Sequence, residues 1–164
     1  MGNGKTFRKQ GVFWFLFGIG ICRYFDNKIH AINRRKLEIS ANRLDILERL
    51  LNLKNNEIQI KEHLERMGYK KVAIYGLGMI GNYLYEELKN SNMEIIGIDK
   101  SDIYNNFQMK IYKPENHFED VDVIIVTPVL GFKEICENFS GAYHGTIISC
   151  QQLLKECESY LYKS

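Results

Sequence analysis

The feature that most constrains this chain is a glycine turn, Gly76-Leu77-Gly78-Met79-Ile80-Gly81, set between an apolar strand and an amphipathic helix. G-x-G-x-x-G alone is a weak signal. Here V-A-I-Y (residues 72–75) precedes it, a helical pattern follows it, and an acid, Asp99, ends the next apolar run 18 residues after Gly81. In that context each glycine has a physical task. Gly76 lets the chain leave the strand in a tight turn. Gly78 lacks a Cβ, so a pyrophosphate can approach the backbone, and Gly81 lets the helix pack closely on the strand. The helix start, at Met79 and Ile80, offers N–H groups and the positive end of the dipole to a phosphate.

The remaining pattern supplies a sheet for this turn. Short apolar runs at 72–75, 95–98, 109–112, 121–126 and 146–149 alternate with helical segments at 82–90, 132–138 and 151–162. Strands alternating with helices predict a parallel sheet covered on both faces. Right-handed crossovers then favour an α/β, Rossmann-like, doubly wound arrangement of about five strands in the order 3-2-1-4-5. The boundary falls at Gly68: residues 1–67 read as a basic, aromatic-rich helical extension, and residues 68–164 as the nucleotide-binding domain.

The ligand follows from the turn. A carboxylate at the tip of the second strand, Asp99, accepts hydrogen bonds from an adenosine ribose and repels a 2′-phosphate, which favours NAD over NADP. Lys100 beside it softens that preference. Asp99 also suits a turn or a helix cap. Thr127-Pro128 follows the strongest strand, at the carboxyl edge, where Thr127 either contacts ligand or caps the turn. A sugar nucleotide and coenzyme A remain alternative ligands, and a Rossmann scaffold with an empty pocket is the rival class.

Catalytic groups are not evident. Tyr85 and Lys89 spell Y-x-x-x-K, but in the helix directly after the glycine turn rather than far downstream. His30, His63, His117 and His144 stand alone in sequence. The four cysteines, Cys22, Cys136, Cys150 and Cys157, form no C-x-x-C pair and show no metal-ligand spacing, as expected of reduced cytosolic thiols. Any redox activity therefore needs a partner or a second copy.

The extension has its own character. The formal charge is +6 over residues 1–50 and −4 over the remainder. Residues 1–11 are polar, basic and glycine-bearing, and read as mobile. The apolar run V-F-W-F-L-F-G-I-G-I-C (12–22) is too short to span a bilayer. Arg23 to Asp26 follow where a signal-peptide cleavage site would need small residues. Phe13, Phe17, Ile21 and Phe25 fall on one helical stripe flanked by basic residues. That suits either peripheral contact of residues 12–25 with the inner face of the membrane, or packing on the protein or a second copy. Residues 33–53 read as a helix with Leu37, Ala41, Leu44, Leu47 and Leu51 on its buried face. Asn56 is placed to cap a second helix, 57–67, with Gln59 completing a capping box. The arginines are spread round the helix without a recognition module, which argues against nucleic acid.

The stretches K-K-V-A-I-Y-G-L-G-M-I-G-N-Y-L-Y-E-E-L-K (70–89), G-I-D-K (97–100) and D-V-D-V-I-I-V-T (120–127), with the helix at 57–67, resemble small bacterial Rossmann-type proteins found beside glycosyltransferases in surface-polysaccharide gene clusters. The resemblance covers residues 57–160. It implies a cytoplasmic, nucleotide-binding accessory role in surface-glycan synthesis; in the rival scaffold reading, the helical arm docks a glycosyltransferase or the membrane. It implicates Gly76, Gly78, Gly81 and Asp99, and no catalytic group.

Overall fold

A computed structural model of the chain describes residues 4–102, 107–141 and 143–162, with side chains from residue 23 onward. The chain divides into two units, Met1–Ala41 and Asn42–Ser164. The first unit is the greater part of one helix, α1 (Gly4–Asn55). Residues 4–11, expected to be mobile, are helical in backbone and continuous with the apolar run. Phe13, Phe17 and Ile21 of the aromatic stripe, and Cys22, lie outside the residues whose side chains are described, while its last member, Phe25, is exposed. Among the described residues, no helix is long and apolar enough to cross a membrane.

The second unit is a five-stranded sheet with helices on both faces. Its strands are β1 (Lys71–Tyr75), β2 (Glu94–Ile98), β3 (Lys110–Tyr112), β4 (Val123–Val126) and β5 (Thr146–Ser149). All pairings are parallel, in the order β3-β2-β1-β4-β5. This is the predicted Rossmann-type order, with the chain reversing direction across the sheet between β1 and β4. Its helices are the end of α1, then α2 (Ile60–Arg66), α3 (Met79–Leu88), α4 (Phe132–Phe139) and α5 (Cys150–Glu158).

Period-two alternation divides the strand side chains between two cores. Val72, Ile74, Val123 and Ile125 pack with Leu84, Leu88, Leu153 and Leu154. Ala73, Tyr75, Ile124 and Val126 pack on the other face with Ile135 and Phe139. Strands buried on both faces read as continuous apolar runs, which is why they were legible.

Two local expectations fail. The buried face of α1 is Ile46, Leu50 and Leu53, while Leu37, Ala41, Leu44 and Leu51 are exposed and Leu47 is half-buried. Two stripes on this helix satisfy the same spacing. The one that reaches the core also carries Arg49, whose Nε and Nη2 each donate at 2.7 Å to Glu158 of α5. Asn56 does not cap α2. Its side chain turns back to the Asn52 carbonyl at 2.8 Å, and Glu57 takes a left-handed φ of 58°. The helix starts only at Ile60, after Gln59, and without a side-chain cap. The domain boundary also moves. Ile46, Leu50, Leu53, Ile60 and Leu64 share a core with the sheet, so residues 42–67 belong to the compact unit rather than to an extension.

Candidate functional site

The glycine turn occupies the carboxyl edge of β1, between β2 and β4. Gly76 leaves the strand at φ +89°. A Cβ there would lie 2.8 Å from both the Pro128 ring and the Thr127 hydroxyl. Two constraints, handedness and space, therefore exclude any other residue. A Cβ on Gly81 would collide with the Gly76 carbonyl oxygen, so this glycine sets how closely α3 approaches the turn. Gly78 differs from both. Nothing lies within 4 Å of its would-be Cβ, and the open side of the turn is there.

Gly78 is the N-cap of α3, and no side chain caps the helix. An uncapped start leaves first-turn N–H groups for water or a ligand. The Ile80 side chain is buried in the core, so that position presents only backbone to this opening, while the Met79 side chain is exposed. Leu77 is different. Its side chain is buried, and its amide donates to Asp99 Oδ2 at 2.6 Å. That amide is therefore already engaged within the protein.

Asp99 also accepts from the Ser101 amide at 2.7 Å through Oδ1. The carboxylate thus ties the tip of β2 to the glycine turn and closes the local turn. Each carboxylate oxygen has a second lone pair, so ribose hydroxyls can still donate to it. Lys100 is exposed next to it, and its carbonyl accepts from Lys113 Nζ at 3.1 Å.

The Thr127 hydroxyl points inward. It donates to the Gly76 carbonyl oxygen at 2.6 Å and lies 3.1 Å from that of Tyr75. It locks the turn to β4 and is buried. Pro128 stacks against Gly76 and forms part of a crevice of about 270 Å³ at this edge. One wall of the crevice is Gly76, Asp99 and Lys100. The other is α4 and its approach, with Leu130, Glu134, Ile135 and Asn138. Tyr75 forms the floor. Burial raises its hydroxyl pKa, and the negative charges of Asp99, Glu115 and Glu134 raise it further. The crevice is therefore acidic, with apolar sides.

Six of its residues, Tyr75, Leu130, Gly131, Glu134, Ile135 and Asn138, were not predicted from the sequence. A signal was present. Gly131, Glu134, Ile135 and Asn138 recur at helical spacing on the helix that follows the strongest strand, and that face must look along the carboxyl edge.

Other candidate groups lie elsewhere. The Tyr85 hydroxyl accepts from the Gln108 amide at 2.9 Å, and Lys89 pairs with Glu86, so the Y-x-x-x-K residues are committed outside the crevice. Cys150 and Cys157 are buried, and burial pushes both thiols up to about 12, which makes them neutral packing groups at physiological pH. His63 is buried between α2 and α5. Its Nδ1 lies 3.0 Å from the Tyr160 hydroxyl and its Nε2 lies 3.2 Å from Glu156.

No family model matches the chain, and no curated protein matches it. Among solved structures, it is similar to a SAH-bound methyltransferase of Podospora anserina. The identity is 13% over 64% of this chain and 68% of that one, with a TM-score of 0.38. So distant a likeness carries no weight for the ligand. The fold assignment rests on strand order and direction.

Proposed function

We propose that the chain binds an adenine dinucleotide, NAD, with its pyrophosphate at the start of α3 and its adenosine in the acidic crevice. One observation carries this reading. At the point where the sheet order reverses, an uncapped helix start stands open at Gly78, beside a crevice that runs past Asp99. Ligands of open α/β sheets bind at that place. The helix start suits the phosphates. The free lone pairs of Asp99 suit the ribose diol, and Pro128, Leu130 and Ile135 offer apolar surface to a flat base.

Charge supports NAD over NADP. Asp99 and Glu134 face the crevice and Lys100 alone opposes them, so a 2′-phosphate there meets net repulsion. The chain acts as a nucleotide-binding subunit whose chemistry, where there is any, is completed by a partner. The resemblance of residues 57–160 to polysaccharide-cluster proteins supports surface-glycan synthesis as the setting and a glycosyltransferase as the partner.

The test is calorimetric titration of the purified chain with NAD(H), NADP(H), a UDP-sugar, coenzyme A and S-adenosylhomocysteine. Saturable binding of NAD(H), at least tenfold tighter than NADP(H), is expected. Preference for another of these ligands reassigns the crevice to it. Binding by none of them leaves a scaffold and ends the proposal.

A further inference from the structure

The last turns of α1 have two apolar faces. Ile46, Leu50 and Leu53 are buried in the unit's own core. Away from that face, Leu44 and Leu51 are 66% and 59% exposed. In the sequence the same seven-residue step leads back to Leu37, which is 71% exposed. Single exposed leucines need no explanation. Leucines at a repeated heptad step do, because that step keeps one seam of a helix turned toward a partner helix.

The charges beside the seam are sorted by sign. With 3.6 residues per turn, Glu48 and Asp45 lie about 40° and 100° to one side of Leu44, and Arg43 and Lys54 lie about 80–100° to the other. All four are exposed. One heptad earlier in the sequence, Glu38 and Lys36 repeat the two flanks, and Arg34 is the exception. Among the described residues, Arg43, Glu48 and Lys54 have no ion-pair partner of their own.

This sorting selects the partner. When two copies of one helix pack in parallel about a two-fold axis, opposite flanks meet, so the acidic side of each lies along the basic side of the other. The spacing from Arg43 to Glu48, five residues, is the step that brings facing flank positions together in a parallel pair. Antiparallel packing would set acid against acid and base against base. An anionic lipid surface would meet the acidic flank as well as the seam. We infer that the exposed Leu44 and Leu51 face at the end of α1 is the interface of a parallel two-fold dimer formed with a second copy of this chain.

Sedimentation equilibrium of the full chain tests this, with circular dichroism as the check on folding. The wild type is expected to be a dimer in the micromolar range. Leu44→Glu with Leu51→Glu is expected to be monomeric with an unchanged spectrum, because both side chains are exposed. Arg43→Glu should weaken the dimer about tenfold, and adding Glu48→Arg should restore it, since both flanks are then exchanged. A monomeric wild type, a dimer that survives the double leucine change, or an Arg43→Glu variant that dimerises more tightly would each overturn the inference. The last result would indicate antiparallel packing.

Discussion

The two edges of the sheet use their polar groups in opposite ways. At the amino edge, Lys71 pairs with Glu94 at 3.0 Å and with Glu119 at 3.3 Å. Glu119 also takes Lys110 at 3.0 Å and the Tyr112 hydroxyl at 3.1 Å. Asp122 accepts the amides of Lys70 and Lys71 at 2.7 and 2.8 Å, which aligns the start of β1 with β4. These groups are all engaged with other protein groups. At the carboxyl edge, Asp99 and Thr127 fix the turn from inside, while Gly78 and the start of α3 stay open. One edge is closed by protein groups, and the other keeps an uncapped helix start open beside Gly78.

That contrast predicts a separation of effects. Changes at the amino edge should cost stability and leave binding alone. Changes on the open side of the glycine turn should do the reverse.

The largest effect is expected at Gly81, which belongs to both categories. Gly81→Ala drives a Cβ into the Gly76 carbonyl, so α3 must move off the turn. A loss of about 3 kcal/mol is expected, at the upper end for overpacking, and read by urea unfolding, with loss of NAD binding in the same variant. Gly78→Val should separate the two properties. Its side chain enters open space, so stability should change by less than about 1 kcal/mol, while calorimetry should show NAD binding weakened at least a hundredfold. Equal loss of both properties would erase the distinction between the edges.

Thr127→Val removes the hydroxyl that holds the Gly76 carbonyl. Thermal unfolding should report a cost of about 1–2 kcal/mol, because buried acceptors lose their donor, and binding should weaken only as the turn loosens. Asp99→Asn should act on discrimination. It removes the charge, so the ratio of NAD to NADP affinity should fall severalfold, and because it keeps one acceptor oxygen where Leu77 and Ser101 both donate, some stability is lost as well.

The smallest effect belongs to the amino edge and appears only with pH. Lys110, then Tyr112 and Lys71, hold the Glu119 carboxyl well below the ordinary 4.5, at about 2. A lowered pKa means the folded state favours the charged form. Its stabilisation is present above pH 4.5 and is lost as pH falls from there toward 2. Glu119→Gln should therefore flatten the decline of Tm across that window and leave NAD affinity at neutral pH unchanged. An unaltered slope would show the network to be structurally idle.

The strand order was legible because the central strands β1 and β4 are buried on both faces and each crossover helix is short and punctuated. The three glycines were legible for the same kind of reason, since each is fixed by local geometry. Other features depend on tertiary choice. Leu37, Leu44 and Leu51 compete with Ile46, Leu50 and Leu53 for the core on equal periodicity, and only packing against α2 and α5, with the Arg49–Glu158 pair, decides between them. Asp99 was legible as a carboxylate at a strand tip. Its grip on the Leu77 amide was not, because that bond joins residues 22 apart. The α4 wall of the crevice was overlooked because Glu134 and Asn138 look like ordinary surface residues until the helix is placed beside the carboxyl edge.

The most direct test of the account is a two-dimensional ¹H–¹⁵N spectrum of the protein titrated with NAD⁺. The account predicts saturable shifts confined to the amides of Gly78, Met79 and Ile80 and to residues around Asp99, Leu130 and Asn138, with the amino-edge amides of Lys70 and Lys71 unmoved. Shifts that cluster away from the glycine turn, or none at ligand concentrations that saturate known dinucleotide sites, would contradict it.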